Sequence, residues 1–85
     1  MFAYYFTPAA EKEIGGLPKR FQRQIFDAVE AVCRFSHPLK STRVIKLKGY
    51  AAPTYRLRSG DYRIIFRILN DALVIGSVRN RQEGY

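Results

Sequence analysis

Cysteine, tryptophan and acidic residues are scarce in this 85-residue sequence, and no long apolar run occurs in it. Because Cys33 is the only cysteine, an internal disulfide and any multi-cysteine metal site are excluded. No apolar stretch approaches the roughly 20 residues that span a bilayer, so we expect no membrane association. The opening residues lack a basic segment followed by an apolar one, so we expect no secretory signal and a cytoplasmic location.

The chain is rich in basic and apolar residues. Lysine and arginine number 15 against 7 acidic residues, which gives a formal net charge of +8. Such a field attracts polyanions, nucleic acid above all, or an acidic protein. The hydrophobic fraction of 47% is too high for a disordered chain, so we expect one compact domain over residues 1–85.

The first half of the sequence predicts a strand and two helices. Aromatic residues at positions 2–6 suit a short strand. Thr7-Pro8 then provides an N-cap and a first helical residue, which predicts a helix over residues 8–14 ended by two glycines. A second helix begins at Pro18, where apolar residues recur every three or four positions, and it ends at Ser36-His37-Pro38. Cys33 lies in its apolar stripe, so we expect a buried, inert thiol, and for His37 a structural role.

The second half alternates between apolar and polar residues, as strands do. The pattern predicts strands over residues 44–48, 54–58, 62–69 and 73–79, with short turns between the last three. The expected fold class is therefore α+β: a strand, two helices, and an antiparallel meander of three to four strands, with the helices packed on one face of the sheet.

Alternation in the strands around Gly60 separates an apolar face from a basic one. If Ser59-Gly60 is a two-residue turn, Arg56 lies opposite Arg63 and Leu57 opposite Tyr62. The same turn sets Arg58 opposite Asp61 and Tyr55 opposite Ile64. A shift of one residue would mix the faces, so the pattern selects this register. The face toward the helices would carry Tyr55, Leu57, Tyr62, Ile64, Phe66 and Ile68, and the other face Arg56, Arg58, Arg63 and Arg67.

Arginines opposite one another on this face are difficult to explain by folding alone. Like charges directly across a sheet destabilise it by up to about 1 kcal/mol. A solvated face, on which twist and water keep the charges apart, is the alternative. The choice of arginine favours a phosphate ligand, because the planar guanidinium makes two parallel hydrogen bonds to it. We therefore predict a nucleic-acid-binding face, which Lys46 and Lys48 would extend.

The sequence leaves the position of Arg79 open. A two-residue turn at Asn70-Asp71 would set Arg63 beside Val78. A turn that also includes Ala72 would set Arg63 beside Arg79.

Three segments resemble the RelE/ParE superfamily of bacterial toxins: KLKG at residues 46–49, YRLRSGDYRIIF at 55–66 and VRNRQEGY at 78–85. The likeness extends to the opening strand, the start of the first helix and the Leu17-Pro18 junction, so it covers nearly the whole chain. RelE-like members cleave mRNA on the ribosome, whereas ParE-like members inhibit DNA gyrase without an evident nuclease site. One fold supports both activities, and the resemblance implies a cognate antitoxin as partner in either case.

The RelE-like branch is favoured, because basic or phenolic groups occupy the positions that it uses. The resemblance implies attack of a ribose 2′-hydroxyl on the adjacent phosphate, with no metal or other cofactor. The resemblance implies catalytic roles for Arg58, Arg63, Arg79 or Arg81, and Tyr85, and RNA binding by Arg56. The strand pattern adds Lys46 and Lys48 as RNA-binding residues. ParE-like gyrase inhibition and a plain RNA-binding or interaction module are the alternative functions.

Overall fold

The computed structural model describes residues 2–80 and has the predicted α+β architecture. The helices are α1 (Pro8–Gly15) and α2 (Lys19–Cys33), and a 3-10 turn (Pro38–Lys40) follows α2. The strands are β1 (Ala3–Phe6), β2 (Val44–Leu47), β3 (Thr54–Ser59), β4 (Tyr62–Leu69) and β5 (Ala72–Asn80). Within residues 2–80, no helix is long and apolar enough to cross a membrane.

One sheet contains all five strands, in the order β1-β5-β4-β3-β2. The strands from β2 to β5 form the predicted antiparallel meander. The opening strand β1 adds to this meander by pairing parallel with β5. The first and last of the described strands are therefore neighbours.

Side chains cap the N-terminal ends of α1 and of the 3-10 turn. The Thr7 hydroxyl accepts a hydrogen bond from the backbone N–H of Ala10 at 3.2 Å, as expected of the N-cap of α1. At the 3-10 turn, Nδ1 of His37 accepts the backbone N–H of Leu39 at 3.2 Å. His37 thus has the structural role that its place at a helix end predicts.

The core lies between α2 and one face of the sheet, as predicted. The α2 residues Ile25 and Val29 are fully buried, and so are Leu57 and Ile64 on the sheet. Cys33, at the end of α2, is also buried. Burial is the main cause that raises the pKa of its thiol, which disfavours the reactive thiolate.

The turn between β3 and β4 differs from the prediction by one residue. The turn residues are Gly60 and Asp61, so that Ser59 pairs with Tyr62 and Arg58 with Arg63. Ser59 belongs to β3 because its side chain is buried, with its hydroxyl donating to the Gln24 carbonyl at 3.5 Å. Gly60 has a φ of +58°, which suits glycine at the first position of a two-residue turn.

This correction moves every cross-strand pair by two positions, and so it preserves the two faces. Arg56 lies opposite Ile65 instead of Arg63, while Leu57 lies opposite Ile64. Arg56 and Arg63 still share the face away from the helices, which we call the open face. The predicted separation of apolar and basic faces is confirmed, although the predicted pairs within them were wrong.

A β-bulge at Gly76 resolves the question of Arg79. The turn before β5 is the two-residue Asn70-Asp71, with Leu69 paired to Ala72. Ile65 pairs with Ser77 and Phe66 with Ile75, so Gly76 is an extra residue without a partner on β4. The bulge advances the register by one residue and brings Arg79 opposite Arg63. The short turn and the Arg63–Arg79 pair therefore occur together, a combination that the sequence did not suggest.

We expect Gly60→Ala to lower the free energy of unfolding by about 1–2 kcal/mol, because an L-residue with Cβ is strained at positive φ. A Cβ at this position would also press on the side-chain amide of Gln24. The matched control is Gly15→Ala, since a Cβ there meets nothing within 4 Å. It should be neutral or stabilising by about 0.5–1 kcal/mol. Urea unfolding followed by circular dichroism measures both, and equal stability of the two variants would contradict the turn assignment.

Candidate nucleic-acid interface

Three arginines from three adjacent strands form a row across the open face. Arg58 of β3 lies opposite Arg63 of β4, and Arg63 in turn lies opposite Arg79 of β5. Side chains directly opposite each other in a sheet are about 5 Å apart at Cβ. The row thus concentrates three positive charges at one end of the sheet, and each adjacent pair has a repulsive cost of up to about 1 kcal/mol.

Arg56 lies two residues before Arg58 on β3, on the same face of the sheet, and extends this basic surface. Its cross-strand partner is Ile65, which is followed across the sheet by Ser77. The Nε of Arg56 is buried and has no hydrogen-bond partner among residues 2–80. A buried donor without an acceptor costs about 1–3 kcal/mol, so this side chain also adds nothing evident to stability.

A glutamate from α1 orients Arg79. One carboxylate oxygen of Glu13 lies 3.3 Å from Nε of Arg79. The other accepts the backbone N–H of Val78 at 2.9 Å. The Arg79 Nε also donates to the Ser77 hydroxyl at 3.2 Å. With Nε held in this way, the two terminal nitrogens of the guanidinium are the ones directed to other acceptors.

Sequence reasoning missed Glu13, and nothing in its local pattern marks it. Its role depends on topology, because β1 pairs only with residues 72–75 of β5. Beyond Ile75 the edge of β5 is open, and α1 packs along it. Glu13 thereby accepts the hydrogen bond of the Val78 N–H, a backbone donor on this edge for which no neighbouring strand among residues 2–80 provides an acceptor.

The predicted lysines do not all join the arginines. Lys46 lies opposite Tyr55, on the face that β3 turns toward the helices, and it is therefore on the wrong side of the sheet to extend the open face. The physical reason is strict alternation: Ile45, opposite Arg56, occupies the open-face position instead. Lys48 follows the end of β2 and is exposed. Arg81 and Tyr85 lie outside the described residues.

A pocket of about 400 Å³ lies on the open face of the sheet. The loop between β2 and β3 forms one wall, with Tyr50, and the sheet forms the floor, with Ile65 and Val74. Arg67 and Gly76 also line it. We call it the loop pocket.

A second concavity, the helix-side groove, lies between α2 and the tip of the β3–β4 hairpin and measures about 680 Å³. Its basic residues come from three parts of the chain: Arg20 and Arg23 from α2, Arg43 from the segment before β2, and Arg58 from β3. Ala28 and Ala31 give it an apolar floor. Arg58 also lines a small cavity with Arg63, so the groove reaches the end of the arginine row.

The family model described as the ParE toxin of the type II toxin-antitoxin system parDE matches residues 4–85. This chain belongs to the RelE/ParE superfamily of type II toxins. The assignment agrees with the resemblance carried by the arginine hairpin and the C-terminal segment. No curated protein matches the toxin in sequence.

Solved toxin-antitoxin complexes share the fold of this toxin. The archaeal RelE-RelB complex from Pyrococcus horikoshii matches with a TM-score of 0.75 at 24% identity, over 98% of each chain. The RelB-RelE complex from Methanococcus jannaschii matches with a TM-score of 0.69 at 27% identity, over 92% of this chain and 91% of that one. The intact RelBE complex from E. coli matches with a TM-score of 0.72 at 21% identity, over 94% and 96%.

We expect Glu13→Ala to speed amide hydrogen exchange at Val78, because the variant removes the acceptor of that N–H. The free energy of unfolding should fall by about 1 kcal/mol, mostly from this hydrogen bond, since the ion pair with Arg79 is largely exposed to solvent. Glu13→Gln is the matched control, because its amide oxygen still accepts the N–H without the charge. If Val78 exchanges equally fast in both variants, the carboxylate does not hold this edge of β5.

Proposed function

We propose that this toxin is an endoribonuclease that cleaves mRNA on the ribosome, as RelE-like members of its superfamily do. The observation that supports the proposal most strongly is the row formed by Arg58, Arg63 and Arg79 on an open sheet face. A row of guanidinium groups is costly to the fold and suited to phosphates. Single-stranded RNA supplies the phosphates at regular spacing and is narrow enough to lie across the face.

The proposed reaction is a transesterification within the RNA. The 2′-oxygen of one ribose attacks the adjacent phosphorus, and the bond from phosphorus to the 5′-oxygen of the next nucleotide breaks. The 2′-hydroxyl loses its proton and the leaving 5′-oxygen gains one, so the products are a 2′,3′-cyclic phosphate and a 5′-hydroxyl. Because the nucleophile belongs to the substrate, this step calls for neither an external water nor a metal.

Negative charge builds on the phosphoryl oxygens in this transition state, and fixed donors stabilise it most. Arg63 is central in the row, with an arginine on each side. Glu13 contacts Nε of Arg79, which leaves the two terminal nitrogens of that guanidinium for a phosphate. We assign charge stabilisation to Arg63 and Arg79, together with Arg58, and backbone binding to Arg56. Arginine is a poor general base, because its guanidinium group stays protonated in proteins. The two alternative roles predicted for Tyr85 are stacking on a base and proton transfer.

The family model supports a second candidate, inhibition of DNA gyrase. The model that matches the chain is described for ParE, whereas the three solved complexes described above are described for RelE. In a ParE-like toxin the open face would bind protein, and no bond in RNA would be cleaved. The arginine row favours the nuclease, since a protein surface has less need of three adjacent guanidinium groups.

We further propose that the helix-side groove binds an antitoxin segment. Several of the similar solved structures are toxin-antitoxin complexes, and the groove combines an apolar floor with four arginines and one aspartate, Asp27. An amphipathic peptide with acidic residues along its sides matches this combination. Because Arg58 lines both the groove and the cavity beside Arg63, a segment bound there would reach the arginine row and obstruct RNA.

Arg63→Ala should lower the single-turnover rate of mRNA cleavage on programmed ribosomes by about a hundredfold, the effect of removing one donor from a developing charge. Binding of RNA should change less. Arg63→Lys should retain part of the rate, because lysine keeps the charge without the paired donors. Arg56→Ala should instead weaken RNA binding and reduce its salt dependence by about one phosphate contact.

Lys12→Ala is the control for the loss of one positive charge, since Lys12 is an exposed residue of α1. It should leave the cleavage rate unchanged. The nuclease proposal fails if wild-type toxin leaves mRNA intact while its induction breaks DNA. That result would favour gyrase inhibition and make the same arginines a protein-binding surface.

Arg23→Glu should weaken the complex with the antitoxin encoded beside the toxin gene by at least about tenfold, because it places a carboxylate against an acidic partner. Cleavage by the free toxin should persist. Lys19→Glu is the matched reversal on the same helix, at a residue that does not line the groove. Isothermal titration calorimetry of both variants measures the difference. Equal affinities would place the antitoxin elsewhere.

A further inference from the structure

We propose that the loop pocket binds an unstacked base of the RNA, and this inference rests on the proposed function. The pocket lies on the open face, and its floor includes Ile65, the cross-strand partner of Arg56. A nucleotide whose phosphate contacts the arginines therefore has a cavity within reach for its base. The volume of about 400 Å³ falls in the range typical of small-ligand pockets.

The chemistry of the pocket suits a flat, apolar ring. Ile65 and Val74 present aliphatic side chains, and the loop residues Ala51 and Ala52 add no bulk. The hydroxyl of Thr54 already donates to the carbonyl of Ala52 at 2.9 Å, so it is engaged within the wall. Among residues 2–80, none of the side chains that line the cavity is acidic. The pocket thus favours stacking and apolar contact over hydrogen bonds to a particular base.

Tyr50 supplies the aromatic surface that such a base needs. Its side chain is 57% exposed at the edge of the cavity. Among residues 2–80 it has no aromatic partner. Exposed aromatic rings beside basic residues are the usual platforms on which proteins stack the bases of single-stranded RNA. Arg67, also on the pocket wall, is exposed and is placed to meet a flanking phosphate.

Charge complementarity favours RNA over an apolar protein segment as the occupant. The pocket lies on the face that carries Arg56 and Arg67, and a neutral apolar peptide would offer these two charges no counterion. A nucleotide provides the ring for the cavity and the phosphate for the arginines in one unit. The geometry therefore assigns the loop pocket to a base adjacent to the scissile phosphate.

The test compares two ligands that share one backbone. The first is a short single-stranded RNA with 2′-fluoro riboses, which cannot undergo 2′-hydroxyl attack, and the second is its fully abasic counterpart. We expect the toxin to bind the first about tenfold more tightly, the scale of stacking one base on an aromatic side chain. Tyr50→Ala should abolish this preference and leave the affinity for the abasic backbone unchanged. Tyr50→Phe should retain it.

Two further variants separate the pocket from general effects. Gly76→Leu should also abolish the preference, because a Cβ at Gly76 meets nothing within 4 Å and the leucine would occupy space at the pocket wall. Tyr5→Ala is the matched control: Tyr5 is 62% exposed but does not line the pocket, so the preference should persist. Arg56→Ala should weaken binding of both ligands equally.

The possible outcomes distinguish this inference from the proposed function. If wild-type toxin binds the two ligands alike, or if Tyr50→Ala keeps the preference, RNA binding stands and the base pocket is wrong. If the toxin binds neither ligand even at low salt, the proposed function and the pocket fail together.

Discussion

One extra residue in β5 determines which charged groups this toxin brings together. Without the bulge at Gly76, alternation would place Arg79 on the same face as Leu73 and Ile75, which are fully buried. A guanidinium there would face the core or disrupt the packing of α1. The bulge reverses the alternation, so that Val78 fills the core and Arg79 reaches the open face beside Arg63. The same residue forms part of the wall of the loop pocket.

The fold therefore carries a row of arginines whose mutual repulsion lowers the stability of the protein. The apolar face of the sheet and α2 bury a continuous core. The free energy gained from that burial offsets the repulsion among neighbouring arginines on the other face. The ion pair with Glu13 offsets part of the charge at one end of the row. Such sites, where local rules of stability are broken, are where function is to be expected.

Much of this arrangement follows from alternation in the sequence. The apolar residues of β3 and β4 were assigned to the correct face, and the arginines to the other, because a turn displaced by one residue moves each cross-strand pair by two and leaves the faces unchanged. The exact pairs were wrong, since nothing in the sequence reveals that Ser59 is held in β3 by Gln24 of α2. Lys46 was misplaced because β2 was taken to continue the basic pattern, whereas its pairing with Tyr55 turns it away. The bulge and the contact of Glu13 depend on how distant elements meet, which local pattern does not encode.

The pairing of β1 with β5 has a consequence for how the toxin folds during its synthesis. Tyr4 pairs with Leu73, and the Thr7 N–H donates to the Ile75 carbonyl at 2.9 Å. The backbone groups of β1 therefore gain their strand partners only when β5 is in place. Contacts of such long sequence separation form late, because the chain between them must first be closed into a loop. An unfinished chain that lacks β5 has neither a completed sheet nor Arg79. The arginine row is therefore complete only once β5 has been synthesised and has joined the sheet.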